Sequence, residues 1–482
     1  MKKTAVTIFC LFFAVIGCSV DSAPGNGEED NAGMIYSKDL AEQNLLRAIQ
    51  IVDKAMLCYF SGEGMAMARY YNPYTGIRSD EKGSIWMYTS AMEAVNAILH
   101  GLQTFQAHGK MELYDKHFNR YADLLYQLYD NADYYSGTFS LISYTQTKEW
   151  TVYGVNRGGS KGSARVDGIE NVYDDQMWLI RELLTAYQLT GNAVYLNKAE
   201  YLTEYVLDGW DCTRDSRGEE IGGIPWGPGY VTKHACSNGP MISPLVWLHE
   251  LYKGKNDAIE YRYIDASDRR TRKTQTVVKS NYYLDFARKI YAWQKRYLLR
   301  SDGVYDDMMG GCSPGSPATE LVNGVNYRRG VTCRDRVGPA YTYNSGTMLS
   351  GAADLFRATG ETAYREDAAQ LSNASFKYFA KLDETIQGYY TYNISGFSNW
   401  FNGVLMRGYV DAYPAYPAVS ACINSFQQNL DWGYDNYFYQ GFLPVNLLVG
   451  WSRDNNNNRV EGMFTFAFAA EYAVLAQYEL EK

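Results

Sequence analysis

Tyr173-Asp174-Asp175-Gln176-Met177-Trp178-Leu179-Ile180-Arg181-Glu182-Leu183-Leu184-Thr185-Ala186-Tyr187-Gln188-Leu189-Thr190-Gly191-Asn192-Ala193-Val194-Tyr195-Leu196-Asn197-Lys198-Ala199 reads as a helix, a glycine stop and the start of a second helix. Trp178, Leu179, Leu183, Ala186 and Tyr187 fall on one stripe at helical spacing, and Gly191 stands where a helix is expected to end. Asp174 and Asp175 lie at or just before the first helix's N-terminus, where free backbone N–H groups and the helix dipole favour negative charge. The pattern returns 169 residues later in Thr359-Gly360. At that one ungapped offset Tyr187 matches Phe356, Tyr195 matches Tyr364, Ala199 matches Ala368 and Asp175 matches Asn344. A repeated helix pair cannot bury its own apolar face, so neighbouring pairs must stack to make a core.

Working outward, helical periodicity predicts segments at 43–60, 85–101, 111–129, 175–190, 193–207, 240–253, 281–299, 345–358, 361–380, 400–411, 417–429 and 462–480, with little strand signal. Six helix pairs closing into a ring, an all-α (α/α)6 toroid, account for the count, the repeat and the size. An open solenoid is the competing arrangement. In a toroid the loops at one end converge on a central cleft into which Asp174 and Asp175 can project.

The chain begins with two lysines, an apolar run from Ala5 to Ile16, and Val15-Ile16-Gly17-Cys18. This resembles a bacterial lipoprotein signal over 1–17, with Cys18 acylated and the mature protein held in the cell envelope as an outer-membrane lipoprotein. Residues 18–33, rich in Gly, Pro, Asn and acids, read as a flexible tether, and 34–482 as a single catalytic domain, expected to be a monomer. A formal charge of −9 argues against a nucleic-acid partner, because phosphate binding needs a basic face. Cys212 with Cys236, and Cys312 with Cys333, could each close a loop, and spacing does not decide the connectivity. Asp454 to Arg459 has the acidic look of a calcium loop, but Arg459 replaces the needed glycine and Thr465 the terminal glutamate, so no metal is assigned there.

Forty-four tyrosines and ten tryptophans combine flat apolar faces with polar handles, which suits sugar rings. Trp226 and Tyr230 stand in a Gly/Pro-rich loop, Ile221 to Tyr230, with no helix to pack on. Asn238, Tyr343 and Asn344 are further candidates for sugar contact, as are Asp306 and Asp307, whose competing role is to build a turn. Trp86 either lines the cleft or packs in the core. Arg328, Arg329, Arg334 and Arg336 read as a solvated basic loop, with a phosphorylated glycan as a remote ligand. Glycoside hydrolysis needs two carboxyl groups about 5 Å apart for retention or about 6.5–9.5 Å for inversion, and adjacency leans towards retention.

Tyr173-Asp174-Asp175-Gln176-Met177-Trp178, Thr190-Gly191, Gly222-Gly223-Ile224-Pro225-Trp226, Lys233-His234-Ala235-Cys236-Ser237-Asn238-Gly239-Pro240 and Tyr341-Thr342-Tyr343-Asn344-Ser345-Gly346 resemble glycoside hydrolase family 76. The resemblance implies an endo-acting α-1,6-mannanase of (α/α)6 fold, an α-mannan substrate, Asp174 as nucleophile and Asp175 as acid/base of a retaining reaction. Such a reaction needs no cofactor. Three departures bear on subsite preference: a shorter glycine run before Trp226, Lys233-His234 for the usual Lys-Asn, and Ser345 for the usual Gln. Segments 254–280 and 308–340 read as insertions shaping one end of the cleft. The alternatives are a transglycosylase on the same linkage, a glycan-binding surface lipoprotein without turnover, and a toroid that isomerises or eliminates through His234.

Overall fold

A computed structural model of the chain describes residues 33–482. The expected signal 1–17, Cys18 and the tether, apart from Gly33, lie outside the described residues. Twelve helices occur among the described residues, each coinciding with a predicted segment. In chain order they are α1 (Leu40–Tyr59), α2 (Ile85–Ala107), α3 (Met111–Ala132), α4 (Tyr173–Thr190), α5 (Ala193–Asp208), α6 (Ile242–Tyr252), α7 (Lys279–Leu298), α8 (Thr342–Thr359), α9 (Thr362–Phe379), α10 (Ser398–Ala412), α11 (Ser420–Tyr437) and α12 (Gly462–Glu481).

The order of packing is that of a closed ring. Helix α2 packs on α4, α4 on α6, α6 on α8, α8 on α10, α10 on α12, and α12 returns to α2. Each inner helix carries one outer neighbour, α3, α5, α7, α9 and α11 on α2 to α10 and α1 on α12. This is the (α/α)6 toroid, and the contact of α12 with α2 excludes the open solenoid. Burial follows the layers. Inner α12 is buried along nearly its whole length, whereas outer α9 buries only Ala368, Leu371, Ser372 and Ser375. A helix with neighbours on every side must be apolar all round, and one with a solvent face need not be.

The repeat is real at the level of single atoms. Helices α4 and α8 start and stop 169 residues apart. Gly191 and Gly360 close them in the left-handed region at φ 68° and 72°, with backbone N–H groups donating to Tyr187 and Phe356 carbonyls. Such a cap strains any residue with a Cβ. The hydroxyls of Thr190 and Thr359 donate to the carbonyls of Ala186 and Leu355 and accept from Asn192 N–H and Glu361 N–H.

The strand content exceeds the sequence expectation. Long antiparallel hairpins pair Ser136–Ile142 with Thr147–Tyr153 and Ala258–Ile264 with Arg272–Val278. The second occupies the 254–280 insertion. Shorter ladders stitch the loops above the ring, among them Met308–Gly310 between Lys233–His234 and Asp335–Val337. Cys312 and Cys333 form a disulfide within the 308–340 segment, whereas Cys212 and Cys236 are free and buried. No described helix is long and apolar enough to cross a membrane.

Candidate active site

The inner-helix N-termini meet at one end of the ring, around a cleft of about 700 Å³. That size lies within the range of about 300–1,000 Å³ usual for small-molecule sites. Helix α2 contributes Trp86, α4 contributes Asp174, Asp175 and Trp178, and α10 contributes Ser398, Trp400 and Phe401. Tyr341 and Tyr343 enter from the start of α8, and His234 and Cys236 from the loop before α6. No Lys or Arg stands among the described residues lining the cleft, while Asp174, Asp175, Asp307 and Glu170 do. Such a wall repels anions and accepts a neutral, hydroxyl-rich ligand.

Asp174 and Asp175 lie within the first turn of α4, two and three positions past its N-cap, Val172. The chain is anchored there by Tyr173 N–H donating to Trp226 O at 2.8 Å and by Gln176, whose side chain bonds both Tyr153 N and Tyr153 O. The two carboxyls meet different surroundings. Asp174 is half-buried and accepts from Trp226 Nε1 at 3.1 Å, from the Cys236 thiol and from the backbone N–H groups of Asp174 and Asp175. Burial raises its pKa to about 6, and these four donors oppose the rise. Asp175 is 6 % exposed, and burial followed by the neighbouring Asp174 charge drives its pKa well up. Adjacent acids pushed apart in protonation are the arrangement that assigns one as a base or nucleophile and the other as an acid.

The walls are aromatic. Tyr343 stacks on Phe401 with ring centroids 4.1 Å apart, and Trp86 meets Trp400 edge to face at 5.2 Å. Trp226 lies against Tyr230 at 4.7 Å and stacks on His234 at 4.8 Å. Of the sequence candidates, Trp226, Tyr230, Tyr343, Asp307 and Trp86 therefore reach the cleft. Asp307 has its pKa raised to about 6, mainly by burial, with the Asn344 side chain opposing the rise.

Three candidates do not reach it. Asn238 is fully buried and closes the 221–238 loop by accepting from Ile224 N–H and donating to the carbonyls of Ile224 and His234. Asn344, 1 % exposed, is absent from the cleft lining, and neither polar atom of its side chain has a hydrogen-bond partner among the described residues. Asp306 is held by Arg300 and Arg336 at 3.3 and 2.9 Å. Arg328 is also misjudged by the sequence. It is buried, not solvated, and its guanidinium donates to Pro228 O at 3.0 Å and to Tyr230 O, clamping the loop that carries Trp226. Neither insertion lines the cleft directly. His234 lines the cleft, stacked on Trp226, and burial pushes its pKa down to about 4.

Sequence reasoning missed Phe397, Trp400, Phe401 and Cys236 as cleft residues. The available signal was positional, since Ser398 to Phe401 opens an inner helix as Tyr173 to Asp175 does. Trp178, read as packing, is 5 % exposed yet forms part of the cleft floor.

Fold and cleft together define an (α/α)6 toroid with a paired-carboxylate, aromatic-walled site that no described Lys or Arg lines. The sequence model of glycosyl hydrolase family 76 matches residues 273–430. Mannan endo-1,6-α-mannosidase DCW1 of Candida glabrata is 26% identical over 183 residues, 37% of this chain and 32% of that protein. The chain spans about a third of the length of the curated relatives it matches. Among solved structures, the family 76 glycoside hydrolase (mannosidase) Bt3792 of Bacteroides thetaiotaomicron superposes with a TM-score of 0.65 at 20% identity, over 91% of this chain and 99% of that one. An inactive variant of the α-1,6-mannanase of Salegentibacter sp. HEL1_6, with two aspartates replaced by asparagine and α-1,6-mannotriose bound, superposes with a TM-score of 0.58 at 19% identity, over 90% and 99%. The chain is thus similar to glycosyl hydrolase family 76 over residues 273–430 and shares its fold with solved members of that family.

Proposed function

We propose that this protein is a retaining, endo-acting α-1,6-mannanase, a single catalytic domain over 34–482 tethered as a monomer to the cell envelope by a lipid on Cys18. The observation that carries the reading is the Asp174–Asp175 pair at the cleft floor, with four donors on one carboxyl and burial without compensation on the other. Asp174 attacks the anomeric carbon as Asp175 gives its proton to the departing glycosidic oxygen, leaving a glycosyl ester on Asp174. Asp175, now a base, takes a proton from water, whose oxygen displaces Asp174 from the same carbon. The aromatic walls supply faces for sugar C–H groups, and Asp307 accepts from hydroxyls.

The mannan linkage is supported by the Candida glabrata relative and by the α-1,6-mannotriose bound in the Salegentibacter structure. The absence of Lys and Arg among the described lining residues favours a neutral chain over a phosphorylated one. Incubation with linear α-1,6-mannan, followed by size analysis and NMR of the first product anomer, tests the reading. Short α-configured oligosaccharides support it, and their loss in Asp174→Asn and in Asp175→Asn assigns the pair. Longer products signal transglycosylation, retention without products signals binding alone, and a β-anomer formed first overturns the retaining route.

A further inference from the structure

Below the cleft, the ring axis holds a second cavity of about 180 Å³, and Trp400 lines both spaces. Its walls are charged: Glu93 comes from α2, Arg181 and Glu182 from α4, Arg407 and Asp411 from α10, and Glu471 from α12. Charge at this depth costs free energy unless it is paired or used. Glu182 is taken by Arg181 at 2.6 Å and by Asn96 at 2.8 Å. Glu93 differs in that one of its two partners lines the cleft. One carboxylate oxygen accepts from Arg407, about two turns along α10 from Trp400, and the other accepts from the indole Nε1 of Trp400 at 3.0 Å.

Trp400 is 3 % exposed and is the common neighbour of the cleft floor. It meets Trp178 edge to face at 4.9 Å and Trp86 at 5.2 Å. Trp178 follows Asp174 by one helical turn, so both project from the same face of α4. An indole has a single donor, and the acceptor that captures it fixes the rotation of the ring.

We propose that Glu93 is a positioning residue of the cleft: through its bond to Trp400 it fixes the ring on which Trp178 and Trp86 rest, and so sets the depth at which a sugar sits over Asp174 and Asp175. The inference deepens the glycosidase reading and rests on it for its kinetic consequence. Glu93 touches no substrate. Arg407 serves as its counter-charge, which fastens the carboxylate without competing for the oxygen that Trp400 uses.

The isosteric Glu93→Gln tests this, because an amide has one acceptor for two donors and the guanidinium takes it, leaving an NH2 group against the indole N–H. Wild type, Glu93→Gln, Trp400→Phe and the double variant are compared in two ways. The first is the indole ¹H–¹⁵N signal of Trp400, assigned by its disappearance in Trp400→Phe, which requires no substrate. The second is kcat/KM on α-1,6-mannotetraose. In Glu93→Gln the indole signal moves upfield and kcat/KM falls about tenfold, the size of one hydrogen bond to a charged group. Trp400→Phe falls by a similar factor, and the double variant falls no further than either single one. An unmoved indole signal in folded Glu93→Gln, or losses that multiply in the double variant, overturns the proposal. A wild type that leaves the tetraose intact refutes the glycosidase reading instead, and the indole signal still decides whether Glu93 holds Trp400.

Discussion

Trp226→Phe isolates the one side-chain N–H that holds Asp174 ionised from the loop side. Phenylalanine keeps a ring against Tyr230 and His234 but cannot donate to Asp174 Oδ1, which Trp226 Nε1 reaches at 3.1 Å. The lost bond is to a charged acceptor, worth about 1.5–3 kcal/mol. Three other donors remain on Asp174, so the lower end, about 1.5 kcal/mol, applies, which is roughly one pH unit. The sign follows from the charge. A donor to the carboxylate favours the ionised form, so its removal raises a pKa that already stands at about 6. Asp174, the nucleophile of the proposed mechanism, is then protonated up to a higher pH, and the acidic limb of the kcat/KM profile moves upward by about one unit. At a pH above the new limb the variant retains most of its activity. The assay is reducing-sugar release from a linear α-1,6-mannooligosaccharide between pH 4 and about 9. An acidic limb that stays where wild type has it, with activity lowered evenly at every pH, refutes the argument that this indole tunes Asp174.

Two further outcomes follow from the supports of the site. Arg328→Ala frees the Pro228 and Tyr230 carbonyls, so KM rises about tenfold with a smaller change in kcat, because loop order governs binding before chemistry; steady-state kinetics and faster proteolytic nicking near Tyr230 check this. Lys233→Met leaves Asp211, fully buried, without its 2.9 Å partner and frees the Gly222 and Val331 carbonyls. Unfolding by guanidinium is expected to show a loss of about 3–5 kcal/mol.

The ring was legible because its determinants are local. Thr190-Gly191 and Thr359-Gly360 each need a left-handed glycine and a threonine back-bond, and both requirements are met within five residues of chain. The acid pair was legible for the same reason, and so was Trp226, since a large ring in a glycine-rich loop needs a partner. Asn238 and Asp306 were not, because a polar residue at a loop corner looks alike in sequence whether it faces a ligand or a backbone. Their partners, Ile224, His234, Arg300 and Arg336, are chosen by tertiary packing. Trp400 and Phe401 reach the cleft from a helix more than two hundred residues beyond Asp175, and only closure of the ring brings them there. The hairpin of Ser136–Ile142 and Thr147–Tyr153 carries no short Asn-Gly turn, and its stability rests on Trp150 packing against Tyr201 and Tyr205 of α5, which no local pattern reveals.

The split between Asp174 and Asp175 is tested most directly by trapping the glycosyl-enzyme with a 2-deoxy-2-fluoro-mannosyl fluoride, whose fluorine slows release, and mapping the added mass by peptide sequencing in a mass spectrometer. The account predicts one mannosyl adduct, on Asp174, and none in Asp174→Asn. An adduct on Asp175, or continued turnover with no adduct on either residue, would contradict it.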